Sequence, residues 1–218
     1  MLDRLQQQLS DTYQTERGYD VRDFLITDHG MARALSGDNF LTNSGETLLM
    51  YEEEDGLSLS LYLDKAMLER IESMDPSSAL QMERLNDLCK VIEGLSHFNY
   101  AVWKASQDRS MSLLELEMQA EIDKFVSTMQ LALDQRDNDM LNGLHARLFD
   151  RVSFHRDLDH QQAERYRDAS EFAARFCRGL RKRFLRNGDG ALTELRHFYR
   201  LPLQDKISHI HAHAFAAN

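Results

Sequence analysis

The chain has 218 residues and a formal net charge of −10, with 42% hydrophobic and 28% charged residues. These proportions exclude global disorder and allow a core that folds without metal or disulfide staples. The negative charge argues against general nucleic-acid binding, which depends on Lys and Arg neutralising phosphates, so no nucleic-acid partner is expected.

The length favours one domain over 1–218. This predicted domain divides into an N-terminal subregion over 1–76, a helical bundle over 77–201 and a C-terminal tail over 202–218. The N-terminus contains no apolar signal-peptide core, and no segment approaches the roughly 20 apolar residues of a membrane span. A cytoplasmic protein without a membrane partner is therefore expected.

The N-terminal subregion begins with leucines at 2, 5 and 9, whose spacing predicts a short amphipathic helix ending near Gly18. The segment over 19–27 fits either a helical turn or a strand. Asp28 follows it and is placed to cap a short helix.

A β-hairpin is predicted over about 46–63. Leucines at 57, 59, 61 and 63 alternate with Ser58, Ser60 and Tyr62, which is the period of a strand with its leucines inward. Asp55-Gly56 suits the tight turn. The second strand has a free edge, which must be covered by 24–27 as a third strand, by the rest of the chain or by another molecule. Edge pairing between two copies predicts a homodimer, slightly favoured over a monomer.

Two long helices form the centre of the predicted fold. Ser78 with Gln81, and Ser112 with Glu115, have the capping-box spacing, and each pair precedes apolar residues spaced by three and four. The second helix, over about 111–136, is apolar on two sides, as expected of a helix buried between neighbours. The predicted fold is mostly α: an antiparallel helical bundle around this central helix, with the β-hairpin packed on it.

The sequence of the last third of the chain predicts two more helices. One runs over 161–186 and ends at a glycine cap formed by Asn187-Gly188. The other runs over 191–201 and stops at Pro202. The tail that follows is expected to add one or two turns.

The terminal histidines are the first candidate metal ligands. His209 and His213 would lie one turn apart on a helix, a spacing that suits Zn²⁺ or a similar ion. No neighbouring carboxylate or cysteine completes a four-ligand set, so a polar helix end is the preferred interpretation.

Glutamates of the central helices are the second set of candidate ligands. Glu93 and His97 lie one turn apart, as do Glu117 and Glu121. A carboxylate-bridged di-metal bundle needs two Glu-x-x-His pairs and two further glutamates, whereas this chain offers one pair, formed by Glu194 and His197. On a helical wheel, four residues lie opposite the leucine seam and are either solvent-facing or part of a second contact surface: Glu93, His97, Tyr100 and Lys104.

A basic face on the third long helix is a candidate contact surface for phosphate, RNA or an acidic partner. It contains Arg175, Arg178, Lys182 and Arg186. The same helix carries acidic residues near its start, and this charge order complements the helix macrodipole. Helix stabilisation is therefore the preferred explanation.

The sequence contains no nucleophile elbow, phosphate-binding loop or dinucleotide fingerprint. We expect a non-enzymatic protein without a cofactor that acts through contacts with an unspecified protein partner. The alternative is a metal-binding protein or metal-dependent enzyme that holds a divalent metal with carboxylate and histidine ligands in the bundle.

Overall fold

A computed structural model of the chain describes residues 1–16, 18–37, 45–53, 56–74, 79–150 and 159–215, with the side chains at 53, 82, 83 and 213–215 left out. It is mostly α with a small sheet, as the sequence predicts. The helices are α1 (Leu2–Tyr13), α2 (His29–Ser36), α3 (Lys65–Glu72), α4 (Met82–Ser106), α5 (Leu113–Asp134), α6 (Asn138–Phe149), α7 (His160–Arg186), α8 (Gly188–Arg200) and α9 (Leu203–Phe215). The strands are β1 (Leu25–Ile26), β2 (Glu46–Glu53) and β3 (Gly56–Leu63).

The N-terminal elements resolve the ambiguity over 19–27. α1 ends earlier than predicted, because Gln14 adopts a left-handed conformation with φ of 50°. A 3₁₀ turn over Val21–Phe24 leads directly into β1, so both a helical turn and a strand are present. Asp28 caps α2 as predicted, accepting a hydrogen bond of 2.7 Å from the Met31 amide.

The sheet has the strand order β1-β3-β2, with β3 antiparallel to β2 and parallel to β1. The hairpin prediction is confirmed, and β1 covers part of the β3 edge by pairing with Leu61 and Tyr62. Tyr62 was predicted on the outer face but is buried, and the ring of His29 in α2 lies 6.1 Å from its own. The Asp55 half of the predicted turn lies outside the described residues.

The sheet packs on α4, where the helix has a glycine. A Cβ at Gly94 would lie 3.1 Å from the Leu61 side chain and 3.2 Å from that of Leu63. The missing side chain therefore lets β3 approach the helix closely, which brings the start of β2 next to α4.

The predicted central pair is formed by α4 and α5. Residues early in α4 contact residues late in α5, as in the pairs Glu93–Lys124 and Tyr100–Glu115, so the helices are antiparallel. α5 begins as predicted, with Ser112 accepting from the Glu115 amide at 3.2 Å. α4 begins at Met82, later than predicted; Gln81 is its N-cap residue and makes no side-chain cap bond, and Ser78 lies outside the described residues.

α5 lies at the centre of the bundle, in contact with α1, α4, α6 and α7. Ile122 and Phe125 are fully buried, in agreement with the predicted main stripe. The second apolar side predicted for this helix starts at Leu113, which is 49% exposed because it is the first residue of the helix and precedes the turns that the neighbouring helices cover.

The C-terminal helices differ from the prediction in two respects. Asn187 is not followed by a glycine cap; it is extended and caps α8, accepting from the Gly190 amide at 3.3 Å. The expected one or two turns of tail are the longer helix α9, which packs on α7 and buries Lys206 and Ile210. Among the described residues, no helix is both long enough and apolar enough to span a membrane.

Candidate metal centre

Three of the predicted ligands come together between α4 and α5. Glu93 and His97 lie one turn apart on α4, Glu117 faces them from α5, and one ligand atom from each lies within 4.8 Å of the others. The α4 residues therefore form the second contact surface, and His97 is only 5% exposed. The spacing on α4 and the antiparallel pairing with α5 are together sufficient to produce this group.

The sheet contributes a fourth residue that the sequence analysis did not identify. Glu46 is the first residue of β2, and its Oε2 lies 3.7 Å from His97 Nδ1. On the other side of the ring, His97 Nε2 lies 3.4 Å from Glu117 Oε2. The imidazole is therefore placed between two carboxylates. The position of Glu46 at the start of a predicted strand does not indicate this contact, because only the packing of the sheet on α4 brings Glu46 next to His97.

Glu121, the third predicted carboxylate ligand, is held by a lysine. Lys124 Nζ lies 2.6 Å from Glu121 Oε1 and 3.1 Å from Glu93 Oε2. The lysine thus links the Glu93 end of the cluster to Glu121, and Glu121 lies beside the three-residue group rather than within it.

The pKa values of these groups reflect burial and crowding. Burial raises the pKa of Glu46 and of Glu121, and the neighbouring cations reverse neither shift. Burial would also raise the pKa of Glu93, but Lys124 and His97 lower it below its ordinary value. For His97, burial favours the neutral ring, yet Glu117 and Glu46 outweigh it and raise the pKa.

His97 Nε2 and Glu46 Oε2 are both buried, and neither has a hydrogen-bond partner among the described residues. Each faces a charged group, at 3.4 Å for Nε2 and at 3.7 Å for Oε2, but neither contact has the geometry of a hydrogen bond. Buried polar atoms without a hydrogen bond are uncommon in folded proteins.

A cleft of about 420 Å³ opens over His97, Glu46 and Glu117. Its opposite wall is the first turns of α7, which contribute Arg165 and Tyr166. The carboxylate–histidine group is therefore reachable from solvent on one side while its other sides are closed by α4, α5 and the sheet.

The terminal histidines form a different arrangement. His209 Nε2 lies 2.5 Å from Glu194 Oε1, and Glu194 also pairs with Arg183 at 2.7 Å. The ring of His197 lies 5.8 Å from that of His209. The fold thus supplies the carboxylate that the sequence lacked near His209, but as an ion-pair partner. The side chain of His213, the other predicted ligand, lies outside the described part of the chain.

The basic face of α7 is exposed, as its periodicity predicts. Four residues point to solvent: Arg175, Arg178, Lys182 and Arg186. Arg175 pairs with Glu171 one turn earlier in the helix. This pairing fits the helix-stabilising explanation. Phosphate, RNA or partner binding at this face stays a prediction.

A second polar cluster is buried between α4, α5 and α9, and the sequence analysis did not predict it. Glu115 Oε1 lies 2.8 Å from Lys104 Nζ and accepts a 2.5 Å hydrogen bond from the Tyr100 hydroxyl. Lys206 donates to that same hydroxyl at 2.8 Å. Tyr100 and Lys104, on the second contact surface of α4, are thus turned inward by the packing of α9.

Comparison of the chain with models of protein families, with curated proteins and with solved structures gives no match.

Proposed function

We propose that the protein binds one divalent metal ion through Glu93, His97 and Glu117, with Glu46 orienting the imidazole from its other nitrogen. The proposal depends on the convergence of these three side chains: one ligand atom from each lies within 4.8 Å of the others, and His97 Nε2 is buried there without a hydrogen-bond partner among the described residues. A metal ion coordinated by His97 Nε2 would satisfy that atom, and the neutral ring would keep its proton on Nδ1, which faces Glu46 Oε2.

The charge of the cluster supports a cation. Four carboxylates converge here, from Glu46, Glu93, Glu117 and Glu121, and the ion pairs within 4 Å involve Lys124 and His97. Buried charges require compensation by partners or by a metal. A divalent ion would supply two positive charges among these buried carboxylates, and it would replace the proton that holds His97 in its charged form.

The donor set indicates the class of metal. An imidazole nitrogen with carboxylate oxygens suits first-row divalent ions such as Mn²⁺, Fe²⁺, Co²⁺ or Zn²⁺. The cleft leaves one side of the group open, which is typical of sites that bind a further ligand or water and is unlike closed structural sites.

Titration of chelator-treated protein with Mn²⁺, Co²⁺ and Zn²⁺ by calorimetry tests the proposal. We expect saturable binding of one ion per chain and, with Co²⁺, visible absorption bands from coordinated nitrogen and oxygen. Changing Glu117 to Gln keeps the shape of the side chain but removes its charge, and it should weaken binding by tenfold or more, in line with about 10–100-fold losses reported for lesser changes around metal sites.

The matched control is Glu164→Gln, a change at a glutamate of α7 that is 60% exposed, and it should leave metal affinity unaltered. Circular dichroism must show the same helix content in all three proteins. The proposal fails if no metal binds saturably, or if Glu117→Gln and Glu164→Gln bind as tightly as the parent protein.

We propose protein contact through the β2 edge as a second candidate function. β2 pairs with β3 along one edge, and among the described residues no strand pairs with its other edge. Tyr51 is 68% exposed and Met50 38% exposed on this strand. An exposed edge with apolar side chains favours pairing with another chain, and pairing between two copies related by a two-fold axis gives a closed homodimer.

Light scattering over a concentration series should therefore show a mass above the 25.4 kDa of one chain. The double variant Met50→Lys, Tyr51→Lys should lower that mass towards the monomer, because lysine on an edge strand opposes pairing. Lys65, already exposed on α3, offers the control variant Lys65→Glu, which should not change the mass. A parent protein that stays at 25.4 kDa at every concentration contradicts this candidate.

A further inference from the structure

The wall of the cleft that α7 forms carries a cation, the guanidinium of Arg165. Arg165 Nε is buried and has no hydrogen-bond partner among the described residues. Arg165 lines the cleft with Glu46, His97 and Glu117, and among the described residues the ion pairs of these two glutamates are made to His97. A buried N–H of this kind retains the capacity to donate to a ligand in the cleft.

Tyr166 adds a second donor to the same wall. It lines the cleft next to Arg165, and burial together with Glu117, Glu46 and Glu93 keeps its hydroxyl protonated by raising its pKa. The hydroxyl is therefore a neutral hydrogen-bond donor at physiological pH. One wall of the cleft offers donors, and the facing wall offers metal ligands.

We infer that the cleft binds an oxyanion, a carboxylate or phosphate group, between the metal ion and Arg165, with Tyr166 donating a hydrogen bond. This inference rests on the proposed metal site, because Glu46 and Glu117 in the cleft would repel an anion if no metal ion were bound beside them. A guanidinium is planar and donates two parallel hydrogen bonds, which matches both carboxylate and phosphate. The cleft is large enough for a small molecule that carries such a group.

The first step of the experiment tests whether anion binding requires the bound metal ion. Acetate and methyl phosphate are titrated separately into Co²⁺-loaded protein, and the visible bands of the metal report each anion. We expect a saturable spectral change, with no binding by calorimetry to the metal-free protein. The anion that binds more tightly identifies the oxyanion class.

The second step tests the role of Arg165. Arg165→Gln removes the charge and should weaken anion binding by about tenfold to a hundredfold, as expected for the loss of a charged hydrogen bond. Metal affinity should be retained, because Arg165 is not a ligand. Arg178→Gln, on the exposed face of the same helix, is the matched control and should change neither affinity.

The outcomes separate this inference from the proposed function. Protein that binds Co²⁺ but shows no spectral response to either anion keeps the metal site and overturns the oxyanion site. Equal anion binding by Arg165→Gln and the parent protein also overturns it. Failure to bind Co²⁺ appears before any anion is added, and it overturns the metal site and the oxyanion site together.

Discussion

Replacing Phe125 by alanine should lower the free energy of unfolding by about 3–5 kcal/mol, the range for removing a large aromatic side chain from a packed core. Phe125 is fully buried on α5, the helix with neighbours on most sides. Its ring lies 6.1 Å from that of Phe149 and 6.3 Å from that of His145, both on α6. Truncation would remove these contacts and leave a cavity that helices packed around α5 cannot easily close.

Urea unfolding followed by circular dichroism measures this change. The control is Leu113→Ala on the same helix. Because this side chain is 49% exposed, its truncation should lower the free energy of unfolding by no more than about 0.5 kcal/mol. Similar losses at the two positions would show that α5 is not the centre of the core. Loss of cooperativity in the Phe125→Ala protein would instead indicate that the bundle depends on this ring for a single packed state.

The sequence predicted the helical core because apolar spacing determines which faces of a helix are buried. Ile122 and Phe125 were placed correctly by their positions on one stripe of α5. The same periodicity put Glu93 and His97 on one face of α4, and the spacing of one turn made them plausible ligands together. Local spacing was sufficient to predict a contact when both residues lay on one helix or on two helices joined by a short link.

Contacts between distant segments were not predictable in this way. Glu46 reaches His97 only because β3 packs against Gly94, and Lys206 meets Tyr100 only because α9 folds back over the bundle. Helix periodicity treats a lysine or a glutamate as solvent-facing by default. A buried ionic residue is an exception to this rule, and its partners come from other elements, so the sequence around it carries little signal.

Lys206 is the most fully buried charge that the sequence missed, and its burial has a consequence for stability. Burial lowers the pKa of Lys206 to about 7, with Lys104 adding to the shift and Glu115 and Asp123 opposing it. An unfolded lysine has a pKa of about 10.4. Between these values the unfolded chain binds one more proton than the folded chain, so the contribution of Lys206 to stability increases as pH rises above about 7.

The variant Lys206→Met removes this titration and should therefore change how stability depends on pH. Methionine fills similar space, and replacing a buried ion by an apolar side chain is often neutral or stabilising, so the variant should be at least as stable as the parent at neutral pH. As pH rises above neutral, the free energy of unfolding of the parent should increase relative to that of the variant by up to about 1.4 kcal/mol per pH unit.

Urea unfolding of both proteins at intervals between about pH 7 and pH 9 measures the difference between their free energies of unfolding. Groups that titrate in both proteins contribute equally to the two values, so their effect cancels in this difference. Lys65→Met changes a lysine whose side chain is 73% exposed, so the difference between that variant and the parent should stay constant over the same range. A constant difference for Lys206→Met as well would mean that Lys206 keeps its proton in the folded state. The ion pair with Glu115 would then outweigh burial, and Lys206→Met should destabilise the protein at every pH by leaving that carboxylate with Lys104 as its remaining cation.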